Sequence, residues 1–150
     1  MRMMKRVMAG GAAVATGMVL LPSAPASAAG GRCDGHQVRT CVSVGVKDGY
    51  LVRAKASITD VKGDGLNFSV RTTQIRLQQW TGSRWVTVVN SPDHDGWHPY
   101  RDTGHSARRY CEGSGYVRVR ARAHFDWKRL GTSGQWMSSK AINVPCVRHV

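Results

Sequence analysis

The sequence is poor in acidic residues, and above all in glutamate. Its 150 residues include 22 Lys and Arg but only nine Asp and Glu, and a single one of these acids, Glu112, is a glutamate. Leucine is also scarce, whereas Val, Thr, Ser and Gly are plentiful. Because Glu and Leu favour helices and Val and Thr favour strands, this composition argues against a helical protein and for a β-protein.

Long apolar runs are missing except near the N-terminus. The chain begins with a basic segment, continues uncharged from Val7 to Leu21, and then reaches the small residues Ala26-Ser27-Ala28. This order is typical of a secretory signal peptide, and its apolar part of about fifteen residues is too short to cross a bilayer. We therefore predict a signal peptide at residues 1–28, a secreted protein without a transmembrane anchor, and one β-sandwich domain at residues 29–150.

The motifs of common enzymes are missing as well. No G-x-S-x-G, H-E-x-x-H or P-loop pattern occurs, and no C-x2-C pair indicates a zinc site. We therefore expect a protein that is not an enzyme and that uses neither a cofactor nor a metal.

Four cysteines remain after the predicted signal peptide, and an even number in an exported chain predicts disulfides. Four cysteines allow three connectivities. We favour Cys33 with Cys41, which closes a short loop near the new N-terminus, and Cys111 with Cys146, which connects the start of a late strand to the end of the chain.

Alternation of apolar and polar residues predicts a series of strands. Residues 38–46 and 50–58 alternate on either side of the turn Lys47-Asp48-Gly49, which predicts a hairpin. Residues 67–80 form a longer extended run in which the apolar positions change parity. We expect a bulge near Thr72-Thr73 to produce this change.

A second hairpin is predicted by "IRLQQWTGSRWVTVV", residues 75–89. A four-residue turn, Thr81 to Arg84, places Trp80 opposite Trp85 and Leu77 opposite Val88. Such a tryptophan pair is a candidate platform for a sugar ring, or simply a clamp that stabilises the hairpin.

The remaining segments differ in regularity. Residues 116–125, "YVRVRARAHF", alternate throughout, and a last strand is expected within "QWMSSKAINV", residues 135–144. Residues 91–106 contain two prolines and two glycines without periodicity, which predicts an irregular loop. About seven strands in total predict an all-β protein, a β-sandwich.

Two segments resemble a known family of β-sandwiches. "IRLQQWTGSRWVTVV" resembles the C and C′ strands of fibronectin type III and related immunoglobulin-like domains. "YVRVRARAHFDWKRLGTSGQWMSSKAINV" is similar to their F strand, FG loop and G strand, and includes the passage Gly134-x-Trp136-x-Ser138. The resemblance implies an immunoglobulin-like sandwich of about seven strands.

The clearest candidate for a binding site is a row on the strand at residues 116–125. Arg118, Arg120, Arg122 and His124 share one parity, with successive side chains about 6.6 to 7 Å apart. Residues 29–150 hold 19 of the Lys and Arg against all nine acids, a formal charge of +10. An anionic polysaccharide, teichoic acid, lipid headgroups or nucleic acid would suit such a row. The alternative is a solvated outer face that prevents pairing between sheet edges.

Three functions from different classes follow. We favour a secreted, basic, non-enzymatic binding module for an anionic polymer, a cell-envelope component or a protein partner. The second is an inhibitor-like protein that binds another protein through the loop at residues 91–106. The third is a small metal-dependent hydrolase, because that loop combines metal-capable residues, namely Asp93, His94, Asp95, His98, Asp102 and His105.

Overall fold

The computed structural model describes residues 28–148, which form nine strands and no helix. The predicted signal peptide lies outside this range except for Ala28. The strands are β1 (Ala28–Asp34), β2 (Val38–Lys47), β3 (Leu51–Asp60), β4 (Ser69–Trp80), β5 (Trp85–Pro92), β6 (Arg101–His105), β7 (Tyr116–Lys128), β8 (Thr132–Ser138) and β9 (Ile142–Pro145). Within the described residues, nothing has the form of a membrane-spanning helix.

The strands form two antiparallel sheets that pack on one another. The four-stranded sheet has the order β1-β2-β3-β6, and the five-stranded sheet has the order β5-β4-β7-β8, with β9 also paired to β7. Contacts of β3 with β4 and of β2 with β7 join the two inner faces. The predicted all-β class is therefore confirmed, but the predicted number of about seven strands is wrong.

The core lies between the sheets and follows the predicted alternation. The inner face of β7 is buried along most of its length, from Val117 to Phe125. The four-stranded sheet contributes buried residues of β2 and β3, among them Val44 and Ile58. Because a strand turns successive side chains to opposite faces, the same alternation sends the arginines of β7 outward.

The bulge predicted in β4 is present. The pairing of β4 with β7 shifts between Thr72 and Gln74, so that Thr73 is the extra residue. The parity change allows Val70 and Ile75 to enter the core from the same strand. A second shift, between β4 and β5, places Leu77 opposite Val89, so the predicted pairing with Val88 is wrong.

The predicted irregular loop at residues 91–106 is wrong in part, because residues 91 and 92 end β5 and residues 101–105 form β6. This strand pairs with β3 at the edge of the four-stranded sheet. Its inward positions are Asp102 and Gly104, which hide the strand from any search for apolar alternation. The buried Asp102 carboxylate accepts a 2.6 Å hydrogen bond from the backbone N–H of Thr72 in the other sheet. This charge-assisted hydrogen bond offsets part of the cost of burying the carboxylate between the sheets.

The predicted last strand is two strands, β8 and β9, which pair with different parts of β7. Ser139 still donates its backbone N–H to Ala121 of β7, but the next N–H, that of Lys140, is donated to Gly30 of β1. The chain therefore bends towards the other sheet before it returns to β7. Short hydrophobic periodicity does not reveal such a change of hydrogen-bond partner.

Both disulfides have the connectivity that the sequence favoured. Cys33 and Cys41 face each other directly across β1 and β2. Cys111, just before β7, is bonded to Cys146, just after β9. The two bonds secure the described N-terminal strand and the ends of the β7–β9 segment.

The close approach of β6 to the core predicts a specific steric effect. A Cβ added at Gly104 would lie 2.5 Å from Cδ1 of Ile75. We expect Gly104→Ala to lower the free energy of unfolding by about 1 to 3 kcal/mol, as overpacking does. Ile75→Val removes the Cδ1 methyl group and should by itself lower the free energy of unfolding by about 0.5 to 1.5 kcal/mol. The double variant should lose less free energy of unfolding than the sum of the two single losses. Urea denaturation measures all three values.

Gly131→Ala is the control, because a Cβ there meets no atom within 4 Å. It should leave the free energy of unfolding almost unchanged. Strict additivity of the Gly104 and Ile75 substitutions would contradict the contact.

Candidate functional site

The predicted arginine row lies on the outer face of the five-stranded sheet. Arg118 is exposed, and Arg120, Arg122 and His124 are partly buried, in alternation with fully buried neighbours. The two strands beside β7 determine what surrounds the row. β4 places Arg76 directly opposite Arg122, and β8 pairs with the other edge of β7 along residues 122–128.

Arg120 packs on the predicted tryptophan pair. Its guanidinium carbon lies 4.4 Å from the centre of the Trp85 ring, and its Nε donates a 2.9 Å hydrogen bond to Oε1 of Gln78. The Trp80 and Trp85 rings are 5.4 Å apart and tilted by 55°. Burial, and secondarily the charge of Arg122, lower the pKa of Arg120. The tryptophan pair is thus a clamp across the hairpin that also supports an arginine.

A second group forms around Trp136, which the sequence analysis did not select as a site residue. The guanidinium carbons of Arg76 and Arg122 lie 4.6 and 4.8 Å from the centre of this ring. The His124 ring lies 5.1 Å away, and its Nδ1 is 2.7 Å from the hydroxyl oxygen of Thr73, the bulge residue. His124 therefore has packing partners within the sheet. Its pairing opposite Trp136 could have been found only from the register of β7 and β8.

A third group forms around Trp97, from the segment between β5 and β6. Arg71 and Lys128 lie 4.4 and 4.3 Å from the centre of this ring. Arg71 also makes a 2.8 Å salt bridge with Asp126. Both cations belong to the outward parity of their strands, and Trp97 reaches them from the connecting segment. Because Trp97 lies in an irregular segment, the sequence does not indicate that it contacts cations of β4 and β7.

We call this surface the arginine–tryptophan face. Its five strands contain six Lys and Arg and one acidic residue, Asp126. A cation over an indole gains about 0.5 to 1 kcal/mol at an exposed site, and its side chain is held in one orientation. The cations of the face are Arg71, Arg76, Arg118, Arg120, Arg122 and Lys128, and its indoles are those of Trp85, Trp97 and Trp136.

Comparisons of the chain with family models, with curated proteins and with solved structures find no match. Only the chemistry of its own residues therefore bears on its function.

Two further cations, Arg53 and Lys55, lie in the other sheet. They belong to the outward parity of β3, so they face away from the arginine–tryptophan face. The basic charge of the protein is therefore distributed over two opposite surfaces. Each surface has to be considered by itself.

The metal-capable residues of segment 91–106 are brought together only in part. Nε2 of His98 lies 3.1 Å from Oδ2 of Asp95 and 3.8 Å from Oδ1 of Asp102. Ligand atoms of these three residues lie within 4.8 Å of one another, and two carboxylates with an imidazole suit a divalent transition metal. His94 is outside this group, and His105 lies on the outer face of β6.

The backbone holds two members of this group in place, although the sequence predicted that all three lie in an irregular loop. His98 exchanges two backbone hydrogen bonds with Val70, and Asp102 belongs to β6. A hydrogen bond with Asp95 raises the pKa of His98, and the same bond lowers the pKa of Asp95. Burial raises the pKa of the neighbouring Asp93. The expectation that the protein uses no metal stays a prediction.

The pairing of His98 with Asp95 predicts a pH dependence of stability. The pKa of His98 is raised from 6.5, so its contribution is complete below about pH 6.5 and is lost as the pH rises through the raised value. The pKa of Asp95 is lowered from 3.8, so its contribution is present above that value and is lost as the pH falls through the lowered one. The pair should therefore stabilise the fold most between about pH 4 and 6.5.

The measurement is an NMR titration of the His98 ring in the presence of a chelator. Asp95→Asn should move the pKa of His98 downward. The control is Asp64→Asn, which should leave that pKa unchanged because the Asp64 carboxylate accepts a hydrogen bond from the N–H of Leu66 and not from His98. An unchanged His98 titration in Asp95→Asn would show that the pair does not form in solution.

Proposed function

We propose that the protein is a secreted, non-enzymatic binding module whose arginine–tryptophan face binds a linear anionic polymer. The observation that carries the proposal is the arrangement of six cations with one carboxylate on a single sheet, most of them stacked on three indoles. A solvated outer face requires neither this excess of one charge nor the repeated stacking.

The spacing of the cations supports a polymer rather than an isolated small anion. Successive outward side chains of β7 are about 6.6 to 7 Å apart, and neighbouring strands are about 4.8 Å apart. The cations therefore form a grid that several charged groups of one chain can contact together. Such a surface also attracts a polyanion from a distance and binds it more weakly as the salt concentration rises.

The stacking itself favours a polymer recognised by its charged groups. Trp136 has two guanidinium groups and the His124 ring against it, and Trp85 contacts both Arg120 and Trp80. Proteins that bind single-stranded nucleic acids stack bases on available aromatic rings. Because these indoles are already in contact with cations, phosphate or sulfate groups of a cell-envelope or matrix polymer are the better ligands.

The finer fold belongs to the same proposal. In order and pairing, β2, β3 and β6 correspond to strands A, B and E of an immunoglobulin-like sandwich, and β5, β4, β7 and β8 to strands C′, C, F and G. In this interpretation β1 is an added edge strand and β9 continues strand G. The two disulfides support an oxidising compartment, as the prediction of secretion requires.

Heparin and lipoteichoic acid, one sulfated and one phosphorylated, are the probes for a test. We expect the protein to be retained on both and released by salt. The triple variant Arg76→Gln, Arg118→Gln and Arg122→Gln should elute at lower salt, and the slope of log K against log salt should become shallower by roughly two to three. At positions 76 and 122, glutamine keeps part of the side chain over the Trp136 indole while removing the charge.

The matched control removes three exposed arginines elsewhere, by Arg32→Gln, Arg39→Gln and Arg108→Gln. It should retain most of the affinity. An equal loss in both variants would mean that binding follows net charge alone, and the proposal would fail. Retention that hardly depends on salt would instead favour the alternative of a protein partner.

A further inference from the structure

A depression lies on the outer face of the four-stranded sheet, opposite the arginine–tryptophan face. The register of β2, β3 and β6 creates it: Cys41, Ser57 and Thr103 form one row across the three strands. These small side chains make a low floor between rows that carry longer ones. The depression has a volume of about 300 Å³, which is enough for a phosphate group and part of a small molecule attached to it.

Cations form the walls of this depression. On one side of the floor stands Arg101, and on the other the next row brings together Ser43, Lys55 and His105. Arg53, two residues before Lys55 in β3, lies on the same face of the sheet. Among residues 28–148, no acidic side chain lines the depression. Asp102, the acidic neighbour of Arg101, points inward and is buried.

One atom at this depression lacks a hydrogen-bond partner. Nε of Arg53 is buried and, among the described residues, makes no hydrogen bond. A buried donor of a charged group costs free energy unless an acceptor satisfies it. Three arginines of the other sheet differ in this respect, because Nε of Arg71, Arg76 and Arg120 each donates to an oxygen.

Two further features position the cations. A Cβ at residue 45 would lie 2.6 Å from Cε of Lys55, so the glycine allows the Lys55 side chain to lie against β2. Nδ1 of His105 lies 3.3 Å from the backbone oxygen of Ser106. This contact does not involve the other ring nitrogen, Nε2. The side chains of the walls are thus supported by the sheet.

We propose that this depression is an anion-binding site for one tetrahedral phosphate or sulfate group. Arg53 and Lys55 supply charge and donors, and hydroxyl groups supply further donors, those of Ser57 and Thr103 from the floor and that of Ser43 from the wall. The site takes a single charged group, whereas the arginine–tryptophan face takes a row of them. Because the two lie on different sheets, the failure of either leaves the other intact.

The experiment is an NMR titration of the ¹⁵N-labelled protein with inorganic phosphate, glycerol phosphate and sulfate, at constant ionic strength maintained with chloride. We expect the largest amide shifts at Ser57 and Thr103. The double variant Arg53→Gln and Lys55→Gln should bind at least tenfold more weakly, since each charge-assisted hydrogen bond is worth about one order of magnitude in affinity. Comparison of phosphate, its ester and sulfate identifies the source of the anionic group.

Two controls keep the test decisive. Arg39→Gln with Lys47→Gln removes the same two charges from exposed positions on β2 that do not line the depression, and it should bind like the original protein. Ser57→Asp keeps every cation but places a carboxylate on the floor, and it should abolish binding. Shifts spread over all basic residues, or equal affinities in both double variants, would overturn the proposal.

Discussion

The two-residue period of β7 is the constraint on which both the core and the candidate site depend. This strand pairs with β4 on one edge and with β8 and β9 on the other, so every other strand of the five-stranded sheet except β5 is hydrogen-bonded to it. Its odd positions from Val117 to Phe125 are buried, and its even positions carry the arginines. A shift of register by one residue would bury four charged or polar side chains and expose the core. Burial of the apolar positions therefore determines where the cations lie.

The sequence was informative where both faces of a strand have distinct chemistry. β7, the β2–β3 hairpin and the tryptophan pair at the β4–β5 turn all follow from local alternation and turn residues. The bulge in β4 was also predictable, because Val70 and Ile75 require opposite parities on either side of it. In each case the signal lies within about fifteen residues of chain.

Other elements were hidden because their information is not local. β6 turns Asp102 and Gly104 inward, and the reason is found in β4, where Thr72 supplies a hydrogen-bond donor and Ile75 leaves no room for a Cβ. Trp136 and Trp97 could not be assigned to the site, because their cations come from other strands. The depression beside Arg53 depends on a row of three small residues from three strands, which no single segment shows.

The arginine–tryptophan face has an energetic consequence for the folded protein. Six cations on one sheet repel one another, and within its strands one carboxylate, that of Asp126, offsets them. The indole contacts and the hydrogen bond of Arg120 with Gln78 recover part of this cost. Burial, and secondarily repulsion by Arg122, still lower the pKa of Arg120.

A bound polyanion removes that remaining repulsion in the folded state. The unfolded chain carries the same charges but spreads them apart, so it gains less from the same ligand. Differential binding of this kind stabilises the folded protein by RT ln(1 + L/Kd), where L is the free ligand concentration, so the stabilisation increases with the logarithm of the ligand concentration once the site is largely occupied. The face thus connects stability with the proposed binding: a cost that the β7 register imposes on the free protein would be the source of its affinity for an anionic polymer.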